Sequence, residues 1–180
     1  KPEYFVENQS GANPHDELRA NISYLIIAGH VKDGLEMAAA SGLPKSLREF
    51  ISSHHGTQVV RWFYVKARDA ATEDEEVEEA SFRYPGPRPR SKEAAVLMLA
   101  DACESASRAA VELPSGKIES IVRDLSKERL LDGQFDECKL TLRELHEIED
   151  AIIGRLRSIR HQRLAYPDDQ DEAASPDSSS

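Results

Sequence analysis

Residues 13–31 read NPHDELRANISYLIIAGHV, and the spacing of their apolar side chains decides the fold class. Apolar side chains recur at helical intervals at Leu18, Ile22, Leu25, Ile26 and Val31. This period places them along one face of an α-helix, whereas a half-buried strand would alternate every second residue. Asn13–Pro14 is a helix-start signal. The stretch therefore predicts an amphipathic helix in an all-α domain.

Helical spacing continues through most of the remaining chain. Further helices are predicted over residues 35–40, from Pro44 to His55, over 59–67, from Ser91 to about Val111, over 118–130 and over 141–164. The acidic run 73–79 is typical of a solvated loop or a fraying helix end, and three prolines within 82–90 predict an extended loop. We predict one domain over residues 1–166 and a disordered, acidic and serine-rich tail over 167–180.

Composition restricts the classes of function. The 180 residues are 39% hydrophobic and 31% charged, which is typical of one globular domain, and no apolar run is long enough to span a membrane. The net charge of −10 argues against a DNA or RNA partner, because phosphate binding by charge needs a basic face. Cys103 and Cys138 form neither a metal-type motif nor a disulfide framework, which favours the reducing cytosol.

Two ionisable residues stand where helical spacing predicts a buried face. His30 lies on the apolar stripe of its helix, where a hydrogen-bonded core histidine explains it as well as a metal ligand does. Asp101 continues the face of a helix that is apolar all round over residues 94–100. A buried carboxylate is costly unless it is protonated, paired or bound to a metal, and a structural ion pair and a metal remain equal alternatives.

His54 and His55 are neighbours at a predicted helix end. Adjacent helical side chains point about 100° apart, so both can face one cleft only if the backbone unwinds before Gly56. For the dipeptide alone, a chance surface pair is the simpler explanation. Together with His30 and Asp101, however, three imidazoles and one carboxylate come from three helices. That set suits iron, manganese or zinc better than magnesium or calcium.

Positive charge in this acidic chain concentrates beside the start of a helix. The basic residues are Arg83, Arg88, Arg90 and Lys92. They could meet substrate phosphates, because the nearby helix start also offers backbone N–H groups to an anion. A solvated proline-rich loop explains them equally well, so both alternatives stay open.

Seven short strings carry a resemblance to a known family. They are YFVENQ (4–9), NPHD (13–16), GHVKDG (29–34), FISSHHGT (50–57), FRYPGPRPRSKE (82–93), LADACES (99–105) and DGQFDECKLTL (132–142). In this order they resemble the seven-transmembrane HD-domain hydrolases, from Lys1 to about Pro167. The resemblance implies an all-α HD-domain bundle on the cytoplasmic side of a bacterial inner-membrane protein. It also implies a cyclic dinucleotide substrate, cyclic di-AMP, which the family hydrolyses to a linear dinucleotide.

The resemblance further implies roles for single residues. His30 would be the ligand that follows the family's His-Asp pair, His54 and His55 the paired ligands, and Asp101 the distal aspartate. The family's centre holds two divalent transition metal ions, for which manganese or iron is expected, and a hydroxide between them attacks phosphorus. Substrate contacts are expected at the four basic residues named above and, near the position of the His-Asp pair, at Tyr4 and Asn8.

The His-Asp pair that names the family is the main departure from its pattern. Residues 1–180 contain this dipeptide only as His15–Asp16, in the NPHD string at a helix start, and we do not assign it to the metal centre. We therefore expect an N-terminally truncated domain with an incomplete metal site that is inactive by itself. The alternative is a degenerate HD domain, a non-catalytic helical module for signalling or interaction, and metal content distinguishes the two.

Overall fold

Six α-helices contain most of the residues that the computed structural model describes, which are Tyr4, residues 13–109 and residues 116–164. They are α1 (Ala20–Ala40), α2 (Lys45–Ser53), α3 (Arg61–Ala70), α4 (Lys92–Ala109), α5 (Gly116–Leu131) and α6 (Leu142–Leu164), with a 3₁₀ turn at Glu79–Phe82. Within these ranges there is no strand, and a single antiparallel bridge pairs Val59 with Arg83. The predicted all-α fold class is confirmed.

Helix α4 is the central element of the packing. It contacts α5 and α6 on one side and α2 on another, while α1 packs against α2 and α3. Met98 and Leu99 of α4 are completely buried, and the core that contains them also includes Phe135 and Leu145. Helix α2, which contacts both α1 and α4, therefore joins the group formed by α1 and α3 to the group formed by α4, α5 and α6.

The predicted helix starts at Ser91 and Thr141 are confirmed by their capping contacts. The Ser91 hydroxyl accepts a hydrogen bond from the backbone N–H of Ala94 at 3.1 Å. Thr141 and Glu144 cap each other: the Glu144 N–H donates to the Thr141 hydroxyl at 3.2 Å, and the Thr141 N–H donates to the Glu144 carboxylate at 2.9 Å. This reciprocal pair satisfies backbone donors that a helix start otherwise leaves without partners.

The prediction of a separate helix over residues 35–40 is wrong, because α1 continues without interruption to Ala40. Gly34 lies inside α1, and a Cβ atom at this position would lie 3.2 Å from Cγ2 of Ile51. The glycine therefore permits α2 to approach α1 closely instead of ending the helix. Helix α2 itself ends at Ser53, two residues before the predicted end at His55, so the histidine pair directly follows the helix.

The expectation that α4 is buried all round is also wrong. Ala95, Met98 and Leu99 are buried, but Val96 and Leu97 are 38% and 40% exposed. Residues four apart share a helical face, so Asp101 lies on the half-open face of Leu97. The Asp101 side chain is 42% exposed. It is consequently not the buried carboxylate that the sequence pattern suggested.

None of the helices in the described ranges has the length and apolar content that crossing a membrane requires. The acidic run behaves as predicted, since α3 ends at Ala70 and no α-helix occurs between it and α4. Asn8 and the segment 167–180 lie outside the described residues.

Candidate metal centre

Three histidines from α1 and the end of α2 meet in one cluster. His30 lies in the middle of α1, while His54 and His55 follow the last residue of α2. One ring nitrogen of each comes within 4.8 Å of the others. The ring centroids of His54 and His55 are 4.0 Å apart, and that of His30 lies 4.9 Å from His55. The predicted unwinding at the helix end thus lets neighbouring histidines face the same space.

The backbone fixes the orientation and tautomer of His30 and His54. The Nδ1–H group of His30 donates to the carbonyl of Ile27 at 2.5 Å, and Nδ1–H of His54 donates to the carbonyl of Ile51 at 2.8 Å. A carbonyl can only accept, so the proton of each neutral imidazole resides on Nδ1 and the lone pair on Nε2. This is the arrangement by which a protein orients a histidine ligand for a metal ion.

The two Nε2 atoms face each other at 3.2 Å. With both protons on Nδ1, two lone pairs meet at this distance, and they repel unless a proton or a cation lies with them. Burial lowers the pKa of His30, which disfavours the extra proton near neutral pH. Three imidazoles with a carboxylate nearby form a donor set that transition metal ions accept, so the cluster could bind a divalent metal.

His55 is the most strongly perturbed member of the cluster. Its pKa is lowered to about 3, first by burial and then by the positive potential of His54, His30 and Arg129. Its Nδ1 atom lies 3.9 Å from the Asp101 carboxylate, and its ring stacks on Tyr84 with centroids 4.3 Å apart and planes 20° apart. His55 is therefore neutral at physiological pH, which a metal ligand must be.

The turn that follows the histidine pair is held by a buried glutamine. Gln134 is completely buried, and its Oε1 accepts the backbone N–H of Thr57 at 2.9 Å. Its amide nitrogen donates to the Thr57 hydroxyl at 3.0 Å and to the Asp132 carboxylate at 2.7 Å. Gly56, with φ +54°, lies against this amide. The loop after α5 therefore fixes the backbone that carries His54 and His55.

Arg83 completes this clamp from the proline-rich loop. Its guanidinium forms a two-point contact with Asp132, at 3.0 and 2.9 Å, and also donates to the Thr57 carbonyl at 2.8 Å. Glu79 accepts a further bond from it at 2.6 Å. Burial by itself raises the pKa of Asp132, but hydrogen bonds from Arg83 and Gln134 outweigh burial and lower it. We use the name turn clamp for the interaction network formed by Gln134, Asp132, Arg83 and Thr57.

The other basic residues predicted to meet substrate also have acidic neighbours. Arg90 donates to Glu137 at 3.0 Å, and Lys92 pairs with Glu144. Arg88 differs, because its nearest carboxylate, that of Asp136, lies 3.6 Å away. Its Nε–H donates at 3.3 Å to the hydroxyl of Thr57, which places it beside the histidine turn.

Tyr4 and His15 belong to a different part of the fold. The His15 ring donates from Nε2 to the Tyr4 carbonyl at 2.9 Å and packs on Phe63, with centroids 5.2 Å apart. His15 is buried there, outside the histidine cluster. The structure thus agrees with leaving His15–Asp16 out of the metal centre.

Sequence reasoning found the histidines but gave no role to Gln134, Asp132, Thr57 or Tyr84. The strings HHGT, FRYPGPRP and DGQ already contained these residues. Similarity of these three strings to a family does not indicate that they contact one another in space.

An all-helical domain that gathers three imidazoles beside a carboxylate defines a candidate metal-dependent domain. No family model matches the chain. It is 42% identical over 172 residues to the cyclic-di-AMP phosphodiesterase PgpH of Listeria monocytogenes, covering 95% of this chain and 24% of that protein. It is 41% identical over 169 residues to the Bacillus subtilis PgpH, covering 93% and 23%. The chain thus spans about a quarter of the length of these curated relatives.

A solved structure extends the comparison to the fold. The crystal structure of the L. monocytogenes PgpH HD domain in complex with cyclic-di-AMP matches with a TM-score of 0.84 at 41% identity. The match covers 88% of this chain and 73% of that domain. The chain belongs to the HD-domain family of the PgpH phosphodiesterases.

Proposed function

We propose that this domain forms the metal-dependent part of a PgpH-type phosphodiesterase that hydrolyses cyclic di-AMP, with His30, His54, His55 and Asp101 as metal ligands. The observation that carries the proposal is the convergence of three imidazole ligand atoms within 4.8 Å of one another. It occurs in a domain 41% identical to one solved with cyclic-di-AMP.

The chain's own residues hold the proposed metal ligands in position before an ion binds. The carbonyls of Ile27 and Ile51 keep the Nε2 lone pairs of His30 and His54 directed at one point. Burial keeps His30 and His55 neutral, so no proton has to leave them before an ion binds. Divalent ions in such a site would neutralise charge on phosphoryl oxygens and lower the pKa of the attacking water.

The number of ions follows from the family resemblance. The family's centre takes two ions, and we propose manganese or iron, which imidazole and carboxylate ligands suit. Among the described residues, the ligand cluster consists of the three histidines, and the Asp101 carboxylate lies beside it, 3.9 Å from Nδ1 of His55. We propose that the second ion needs the family's His-Asp pair, because a carboxylate must bridge two ions that lie about 3.5–4 Å apart. The resemblance also supports a location on the cytoplasmic side of a bacterial inner membrane.

For the substrate, we propose a phosphate contact at Arg88. Arg83, Arg90 and Lys92 have closer carboxylate partners than Arg88 has. A guanidinium beside the histidine turn is suited to a phosphate in two-point geometry. Tyr4 and Asn8 stay predictions from the sequence.

The proposal is tested in two stages. Elemental analysis of the dialysed chain should find less than two transition metal ions per chain, because the four proposed ligands form one incomplete site. The chain should not hydrolyse cyclic di-AMP with Mn²⁺, and joining it to a family segment that carries the His-Asp pair should produce hydrolysis.

In that extended protein, His54→Ala, His55→Ala and Asp101→Ala should each reduce turnover by orders of magnitude. Glu76→Ala, at an exposed position of the acidic loop, is the matched control and should have no effect. Full activity of the Asp101→Ala variant would refute the ligand assignment. An extended protein that folds but neither binds metal nor hydrolyses cyclic di-AMP would instead support the non-catalytic helical module.

A further inference from the structure

The three imidazoles of the cluster are oriented in different ways. His30 and His54 each donate from Nδ1 to the carbonyl three residues earlier. For His55, no ring nitrogen hydrogen bond is formed within the described part of the chain, and its nearest carboxylate oxygen lies 3.9 Å away. Its closest oriented contact outside the histidine cluster is the face of Tyr84, 4.3 Å between centroids and nearly parallel.

We propose that Tyr84 is a positioning residue for His55, in that stacking on Tyr84 orients this imidazole as backbone carbonyls orient the other two. The inference rests on the proposed function, because it assigns Tyr84 to the same metal centre. The inference follows from the difference in contacts. Rotation of an imidazole about its second side-chain bond is only weakly restricted, so without a hydrogen bond a packed neighbouring face must fix the orientation of the His55 ring. An offset stack of two rings supplies that face.

The backbone of Tyr84 is anchored independently of its ring. Its N–H donates to the Gln58 carbonyl at 2.8 Å, and the Val60 N–H donates to the Phe82 carbonyl at 2.8 Å. Arg83 in between is held by the turn clamp. The loop should therefore keep its course when the ring of Tyr84 is replaced, so a substitution reports on the ring and not on the loop.

The hydroxyl is not expected to take part. Within the described residues it forms no hydrogen bond, so the stack depends on the ring alone. Tyr84→Phe keeps the aromatic face and should behave like the wild type. Tyr84→Leu keeps an apolar side chain but loses the flat face, and it should release the His55 ring.

A control variant separates loss of orientation from loss of stability. Tyr64 is a half-buried tyrosine whose ring contacts Phe82 at 6.0 Å in the neighbouring apolar cluster. Tyr64→Leu removes the same atoms from that cluster without touching the histidines. It should lower the melting temperature and leave the resonances of His30, His54 and His55 and the metal affinity unchanged.

Two measurements on wild type and the three variants test the proposal. In the metal-free protein, NMR of the imidazole protons should show a change at His55 in Tyr84→Leu, because the ring current of the tyrosine is lost, and none in Tyr84→Phe. Titration with Co²⁺, followed by its visible absorption, should show about tenfold weaker binding by Tyr84→Leu, as for other residues that orient a metal ligand.

The possible outcomes distinguish a failure of the positioning role of Tyr84 from a failure of the metal site itself. Unchanged His55 resonances in Tyr84→Leu, or equal Co²⁺ affinity of wild type and Tyr84→Leu, would refute the positioning role while leaving the proposed metal site intact. Equal weakening by Tyr84→Phe and Tyr84→Leu would refute the stacking account in favour of the hydroxyl. A wild type that binds no Co²⁺ would refute the metal site itself and the role of Tyr84 with it.

Discussion

Replacing Gly56 by alanine should destabilise the domain strongly, because the turn after the histidine pair has no room for a Cβ atom. Gly56 is buried and adopts φ +54°, in the left-handed region. A Cβ atom there would lie 2.3 Å from Oε1 of Gln134 and 2.8 Å from Cε of Met98. Both neighbours are completely buried, so neither can move into solvent.

The expected cost comes from the backbone and from the displaced neighbours. The left-handed conformation costs a non-glycine residue about 1–2 kcal/mol. Moving Gln134 breaks its bond to the Thr57 N–H, and a buried donor without a partner costs about 1–3 kcal/mol. Overpacking against Met98 adds to this. We therefore expect Gly56→Ala to lower the free energy of unfolding by about 3–5 kcal/mol.

Urea denaturation followed by circular dichroism measures this change. Gly154→Ala is the matched control, because Gly154 lies inside α6 and a Cβ atom there meets nothing within 4 Å. The control should raise the free energy of unfolding by about 0.5–1 kcal/mol, the ordinary gain from alanine in a helix. If Gly56→Ala unfolds at the wild-type urea concentration, Gln134 does not hold the turn as rigidly as its contacts indicate.

Four further outcomes are expected. Asp101→Asn should change the free energy of unfolding of the metal-free protein by less than about 1 kcal/mol, because the Asp101 carboxylate is 42% exposed and its neighbour His55 is uncharged at neutral pH, but should reduce the stabilisation by Mn²⁺ in thermal melts. Because the pKa of Asp132 is lowered by folding, its contribution to stability is present above its unfolded pKa of about 4 and is lost as pH falls below it. Asp132→Asn should therefore flatten the acid limb of a stability–pH curve, and an unchanged limb would contradict the clamp. Thr141→Ala should cost about 1 kcal/mol in urea denaturation through loss of the α6 cap. Deleting 167–180 should leave the melting temperature unchanged, and a large decrease would show that this segment packs on the domain.

The helices could be predicted because their signals are local. The starts at Ser91 and Thr141 depend on contacts three residues away, and the apolar period is read within a few turns. The failure at Gly34 has the opposite cause. That glycine is explained by Ile51 on another helix, and no local pattern distinguishes a glycine that ends a helix from one that permits close packing.

The candidate site could be predicted only in part, for the same reason. His30, His54 and His55 were recognisable because imidazoles are chemically unusual on an apolar stripe or at a helix end. The turn clamp joins Thr57 to Gln134 across 77 residues, and Arg83 to Asp132 across 49. Spacing along the chain carries no information about such pairs, and arginine in a proline-rich loop resembles a free cation until its carboxylate partner is known.

Because the turn clamp pairs Arg83 with carboxylates, the positive charge that a bound phosphodiester needs must come from other groups. Arg83 faces Asp132 and Glu79, so its charge is already neutralised within the protein. In a chain of net charge −10, the basic loop then offers little attraction to an anion. For the proposed substrate, the compensating charge must come mainly from metal ions at the histidine cluster, with Arg88 as a secondary contact. On this proposal, the proline-rich loop serves chiefly to hold the proposed metal ligands, through the clamp at Thr57 and the stacked ring at His55.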